Sequence, residues 1–231
     1  GAGTTVTASS TVVVGNALPT VSAVTLNAAG AITLTANATT AISVAGTITD
    51  NNGCAEITNG TTSVLVYRSS ITSSTCMGTQ DNVNCYKVTS FNSTSSCVSS
   101  VTVRVTSTVE IYYFANATDA SSSYAAQNWK ATLRVTDSSG AEATTDLDST
   151  GVELNTLTAL NVTTSSINYG TLAASSTTGA TNQTATSTNA GNSSSTLRLS
   201  ANSTLTSGAN SIATSSQRFS SSTFTFPADA T

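Results

Sequence analysis

The sequence predicts an all-β protein: two β-sandwich domains preceded by an N-terminal strand. Three observations carry that prediction. Apolar residues alternate with period two in run after run. Turn signals rich in Asn, Asp, Ser and Gly separate those runs. The composition also suits a pleated sheet: Ser 39 and Thr 47 among 231 residues, abundant Val and Ile, Pro 2, and charged residues at 8%. A mucin-like stalk shares the Ser/Thr richness. Disorder, however, comes with much Pro, high net charge and few β-branched residues, and the net charge here is only -4.

The first element is residues 1–18, a strand followed by a linker. Val6, Ala8, Ser10, Val12 and Val14 fall on one face of an extended segment, and Thr5, Thr7, Ser9 and Thr11 on the other, with Val13 the one exception, before Gly15-Asn16 and Pro19 break it. Two placements are open for this strand. It pairs within its own first domain, or it adds to the sheet of a neighbouring molecule.

The first sandwich is assigned to residues 19–153. Ile32 and Leu34 share a face, as do Ile42, Val44, Gly46 and Ile48. "TSVLVYR" is apolar on both faces, as a central strand should be. "VTVRVT" points Val101, Val103 and Val105 inward, and "VEIYYFA" follows directly. "WKATLRVTD" puts Trp129, Ala131, Leu133 and Val135 on one face, so the single tryptophan reads as core. "ITDNNG" and "VTDSSG" share a pattern: each leaves its strand through Thr-Asp and reaches Gly three residues after the Asp. The Asp side chain bonds the backbone two residues on, and Gly accepts positive φ. The polar, acidic stretch "AEATTDLDSTGV" closes the domain.

The four cysteines, Cys54, Cys76, Cys85 and Cys97, lie within one stretch of 44 residues. There is no CxxC and no histidine, so zinc is a poor match. Two disulfides are expected, with free buried thiols as the alternative. Of the three connectivities, the nested one is preferred, Cys76–Cys85 inside Cys54–Cys97, with "CMGTQDNVNC" as a hairpin loop. Disulfides imply an oxidising, extracellular compartment.

The second sandwich is assigned to residues 154–231, with a strand expected at Leu197-Arg198-Leu199. Within it, "SINYGTLAASSTTGATNQTATSTNAGN" resembles the opening half of immunoglobulin-like domains of extracellular surface proteins. Ile167, Tyr169, Gly170, Leu172, Asn189, Gly191 and Asn192 carry the resemblance. The first domain is similar to the repeated immunoglobulin-like modules of prokaryotic surface proteins, through "TITDNNGC" and "WKATLRVTDSSGA". The matches touch about a quarter of the chain, and they imply a fold far more than a function. A complete sandwich of this type takes roughly 100 residues, and the second domain is shorter. It is expected to lack one or two strands and to leave an open edge and apolar groove. Filling that groove with Val6, Ala8, Val12 and Val14 of the next copy is strand addition. Repeated head to tail, it does not close and yields a filament. This arrangement is similar to donor-strand-assembled pili and threads of prokaryotic surfaces.

Several classes are disfavoured. Without histidine, Ser-His-Asp and Cys-His arrangements are impossible, and no pair of facing carboxylates is evident, so an enzyme is not expected. Two lysines and five arginines form no basic patch, so nucleic acid is not an expected partner. No apolar run approaches the ~18 residues of a membrane helix. No cofactor is implied. The weak calcium candidates are Asp146, Asp148 and Glu153 at the proposed junction; the competing reading is a solvated linker. Glycan acceptors of the Asn-x-Ser/Thr type stand at Asn37, Asn59, Asn92, Asn116, Asn161, Asn182, Asn192 and Asn202. With 19 asparagines in so Ser/Thr-rich a chain, roughly seven arise by chance, so the motifs show availability and not selection.

The chain opens with Gly1 and its only methionine is Met77, which reads as a product freed of a signal peptide. It ends in "FTFPADAT" after strand-like residues, as a fragment of something longer would. The expected role is a structural subunit of an extracellular cell-surface filament whose partners are copies of itself, with covalent glycans. The alternatives are an adhesin or carbohydrate-binding fragment of a larger surface protein, or an S-layer component.

Overall fold

The computed structural model describes residues 1–13, 15–57, 62–89, 93–94, 97, 100–143 and 148–226. The protein is predominantly β. Its strands are β1 (Thr20–Leu26), β2 (Thr39–Thr49), β3 (Thr62–Arg68), β4 (Cys85–Val88), β5 (Ser93–Thr94), β6 (Thr102–Tyr112), β7 (Trp129–Val135), β8 (Leu160–Val162), β9 (Ser187–Asn189), β10 (Leu205–Ser207) and β11 (Asn210–Ile212), with one short helix, α1 (Ser73–Gly78). No described helix is long and apolar enough to cross a membrane. The chain divides into two units, Gly1–Leu157 and Thr158–Thr231, where the sequence places a boundary at 153/154.

Unit 1 contains a four-stranded sheet, β1-β2-β6-β5, and a three-stranded sheet, β4-β3-β7. They enclose one core. Alternation builds it: along β6, Val103, Val105, Val109 and Ile111 are buried while Arg104, Thr106, Thr108, Glu110 and Tyr112 are exposed. From β2 come Ile42, Val44 and Ile48; from β7 come Trp129, Ala131, Leu133 and Val135. Each fully buried aliphatic or aromatic side chain is worth about 1.5–3 kcal/mol of transfer free energy. Trp129 also satisfies its indole N–H with the Asn116 carbonyl at 2.9 Å, which removes the cost of burying a bare donor. Gly46 continues the inward row of β2, and there a Cβ would stand 2.5 Å from Leu133 Cδ1. A methyl at that point would require the Leu133 side chain to shift.

β3 is central in its sheet and apolar on both faces. Val64 and Val66 join the main core, while Leu65 and Tyr67 form a second cluster with Cys76 and Cys85. The second cluster covers the outer side of β7 as well. Thr132, which alternation turns away from the main core, is buried there, and its hydroxyl donates to Asp148 Oδ1 at 2.6 Å.

The disulfides are nested, Cys54–Cys97 and Cys76–Cys85. The inner one does not close a bare hairpin loop. Cys76 sits in α1, whose N-terminus is capped by Thr72 Oγ1 accepting from the Thr75 amide at 3.1 Å. Asp81 Oδ1 then gathers the amides of Val83, Asn84 and Cys85 and turns the chain into β4.

The stretch after β7 is part of the fold. Ala143 donates to Val135, Ser149 to Ala131, and Val152 exchanges two backbone bonds with Trp129. Val152 and Leu154 are buried, and Leu154 bridges to Ile32 in parallel. Ile32 and Leu34 are core residues, held by this bridge outside any named strand.

Unit 2 is built differently. It holds two small ladders, β8–β9 and β10–β11. Its described residues bury only Ala190 and Gly191. Leu197 and Leu199, expected in a strand, lie outside the named strands and are exposed.

Candidate functional site

Two features stand out: a segment exposed along its length and a unit with apolar side chains but almost no interior. Residues 1–13 adopt no strand, and all of them are exposed. Val6 is 89%, Val12 83% and Val13 86% accessible. Ala8 is exposed too, and Val14 lies outside the described residues. A segment with this alternation that stays open to solvent offers a full row of backbone donors and acceptors.

The root of the segment, in contrast, is fastened. Asn52 Nδ2 donates to the Gly15 carbonyl at 3.2 Å, and Asn52 Oδ1 accepts from the Ala17 amide. Asn16 Nδ2 donates to Asp137 Oδ2 at 2.8 Å. Pro19 is buried, and Thr20 enters β1 beside Thr49. Asn52 belongs to "ITDNNG" and Asp137 to "VTDSSG". In each, the Asp bonds the backbone amide two residues on, Asp50 to Asn52 at 2.8 Å and Asp137 to Ser139 at 2.9 Å. The shared pattern therefore produces two matching corners, and residues 15–17 are tied to both. The Asn16 amide, despite partial desolvation and together with Ser139 and Ala141, holds the Asp137 carboxyl down at about 2. Asp137 is thus an anion throughout the ordinary pH range.

In unit 2, ten large apolar side chains are exposed: Leu160, Val162, Ile167, Tyr169, Leu172, Leu197, Leu199, Leu205, Ile212 and Phe219. Ile167, Tyr169 and Leu172 belong to the motif on which the immunoglobulin-like resemblance rests. Tyr169 and Leu172 line a shallow cavity of about 230 Å³ with Thr177, Thr178, Thr181 and Gln183. The turn of that motif is formed. Asn189 Oδ1 accepts from Gly191 N at 3.0 Å, its Nδ2 donates to the Ser193 carbonyl at 2.7 Å, and Ala190 bonds the Ala159 carbonyl. Local turn chemistry is present here without the packed core it normally supports.

Of the glycan acceptors, Asn59 and Asn92 lie outside the described residues. Asn37 and Asn202 are exposed. Asn161 and Asn192 are half-buried. So are Asn116, whose amide donates to Asn84 Oδ1, and Asn182, whose amide donates to the Ala180 and Phe224 carbonyls. Of the calcium candidates, Asp146 lies outside the described residues. Asp148 is engaged by Thr132, Tyr67 and Lys130. Glu153 is exposed and contributes its carbonyl to Ile32. The acidic group that does converge among the described residues is Asp50, Glu56 and Asp137, which the sequence reading did not assemble.

Two disulfides fit an oxidising compartment and a secreted protein. In comparison with known proteins, the chain matches no protein family, no curated protein and no solved structure.

Proposed function

We propose that this chain is the structural subunit of an extracellular, cell-surface filament, and that residues 1–13 of one copy complete unit 2 of the next. In this reading both units are immunoglobulin-like sandwiches, and unit 2 is finished only by strand addition. The observation that carries the reading is the pairing of opposites within one chain. An alternating apolar segment is exposed along its whole described length, and among its described residues a separate unit exposes ten large apolar side chains while burying only Ala190 and Gly191. An exposed apolar surface of this kind marks an interaction site. Each side chain covered on association contributes about 1.5–3 kcal/mol before ordering costs. A head-to-tail contact of this type propagates without closing. The role is structural, the partners are further copies of the chain, and Asn37 and Asn202 are the most accessible glycan acceptors.

Negative-stain electron microscopy tests this. The full chain should form filaments. A chain lacking residues 1–13 should stay monomeric while Trp129 fluorescence reports an intact unit 1. If both forms are monomeric at high concentration, the subunit reading fails and a binding module takes its place.

A further inference from the structure

At one end of the unit 1 sandwich, carboxylates from three stretches of chain converge. Asp50 follows β2, Asp137 follows β7 in the opposite sheet, and Glu56 stands in the short turn that begins at Cys54, where the Cys54–Cys97 disulfide pins the chain. One oxygen from each lies within 4.8 Å of the others. Asp50 is fully buried and Asp137 nearly so. Three carboxyl groups held this close, two of them buried, are costly to keep together without a cation or a proton between them.

Hydrogen bonds engage Asp137 through Asn16, Ser139 and Ala141, but they do not satisfy the other two carboxyls among the described residues. Asp50 Oδ1 accepts from the Asn52 amide, but Asp50 Oδ2 is buried with no hydrogen-bond partner among the described residues. Glu56 Oε2 is in the same condition. Among the described residues Asp137 Oδ2 accepts from Asn16 and retains a lone pair. The ion pairs recorded among the described residues, Lys130–Asp148 and Arg134–Glu142, engage other acids. Two of the three converging carboxyls thus each carry a buried oxygen with no partner among the described residues, which leaves acceptor capacity for a cation.

We propose that Asp50, Glu56 and Asp137 bind a calcium ion at the root of the N-terminal segment. The donor set is all oxygen, which excludes the thiolate- and imidazole-seeking metals. Ca–O bonds of about 2.4 Å bridge every separation in the cluster, and calcium accepts irregular shells completed by water, whereas magnesium demands a tight octahedron. Because Asn16 is bonded to the ligand Asp137, the ion fixes the corner from which residues 1–13 depart. The site does not depend on the filament reading and is measured without it.

The test uses the 231-residue chain after chelation. Terbium luminescence and isothermal titration calorimetry with calcium chloride measure binding, and thermal melts followed by Trp129 fluorescence measure its effect on unit 1. Calcium at saturation should raise Tm on the order of 5 °C, reversibly with EDTA and more than magnesium does. Asp50→Asn and Glu56→Gln remove charge with little change of shape. They should melt no lower than the parent in EDTA, because repulsion is relieved, and should lose the calcium response. Glu110→Gln, on the exposed face of β6, should keep it. No terbium or calcium binding by the parent chain, or a calcium response that survives Asp50→Asn, overturns the site. An equal response to magnesium overturns its assignment to calcium.

Discussion

Units 1 and 2 are written in the same alphabet and do different things with it. Both alternate Val, Leu and Ile with Thr and Ser. In unit 1 the alternation produces a core of fully buried residues such as Val44, Val105, Ile111 and Leu133. In unit 2 it leaves Leu160, Val162 and Leu199 about half accessible. The difference is partners. Each inward row of unit 1 meets a row from the opposite sheet, and β2 and β7 pack so closely that a Cβ at Gly46 would reach the Leu133 side chain. Among the described residues, the β8–β9 and β10–β11 ladders of unit 2 face no such row. Period two specifies which face is apolar; only a facing layer turns that face into an interior.

Substitution at matched positions should expose this contrast most strongly. Trp129→Ala should destabilise unit 1 by about 3–5 kcal/mol, as large core truncations do. Leu199→Ala should change the stability of an unassembled chain by no more than about 0.5 kcal/mol, as surface changes do, yet should weaken assembly. Chemical denaturation beside electron microscopy measures both. A large loss at Leu199 in the monomer would mean that unit 2 has an interior of its own.

The disulfides belong wholly to unit 1, and so should their effect. By the loop-entropy argument, the bond spanning 43 residues contributes about 4 kcal/mol and the one spanning 9 about 2.6 kcal/mol. Replacing Cys54 and Cys97 by Ala should therefore lower the Trp129-reported midpoint more than replacing Cys76 and Cys85. Gly46→Ala should follow at about 1–3 kcal/mol, the usual range for overpacking, because the new methyl meets Leu133.

A smaller effect concerns acid. The Thr156 hydroxyl and amide hold Asp119 below the usual carboxylate range. Burial raises Asp148, but Thr132, Tyr67 and Lys130 outweigh it and hold it low; burial likewise raises Asp81, and the Asn84, Val83 and Cys85 donors outweigh it. For a depressed carboxyl the unfolded chain takes up protons first as pH falls, so stability is present above about pH 4 and is lost below it. All three acids are in unit 1, while 158–226 contains no Asp or Glu. Acid titration should therefore lower the unit 1 midpoint and leave unit 2 signals unmoved between pH 5 and pH 2.

The sequence made some of this legible. Clean alternation in β6 and β7 marked the core strands, and a strand apolar on both faces marked β3 as central. Other parts were hidden for physical reasons. Helix α1 is only six residues long, too short for a periodicity to show, and it depends on the Thr72 cap and the Cys76–Cys85 bond. The polar segment after Gly140 concealed Val152 and Leu154, two apolar residues that complete the core. The carboxylate cluster could not be read from spacing, since Asp50 and Asp137 are brought together by the stacking of two sheets. The repeated Thr-Asp-x-x-Gly pattern was the available signal, and it identified the corners without identifying their meeting.

The most direct test of the central claim is complementation in trans. A chain lacking residues 1–13 is mixed with a synthetic peptide of residues 1–18, and backbone hydrogen exchange is followed across both units. One peptide should bind per chain, exchange in unit 2 should slow toward the level of unit 1, and unit 1 should be unchanged. Exchange in unit 2 that is the same with and without the peptide would contradict that claim.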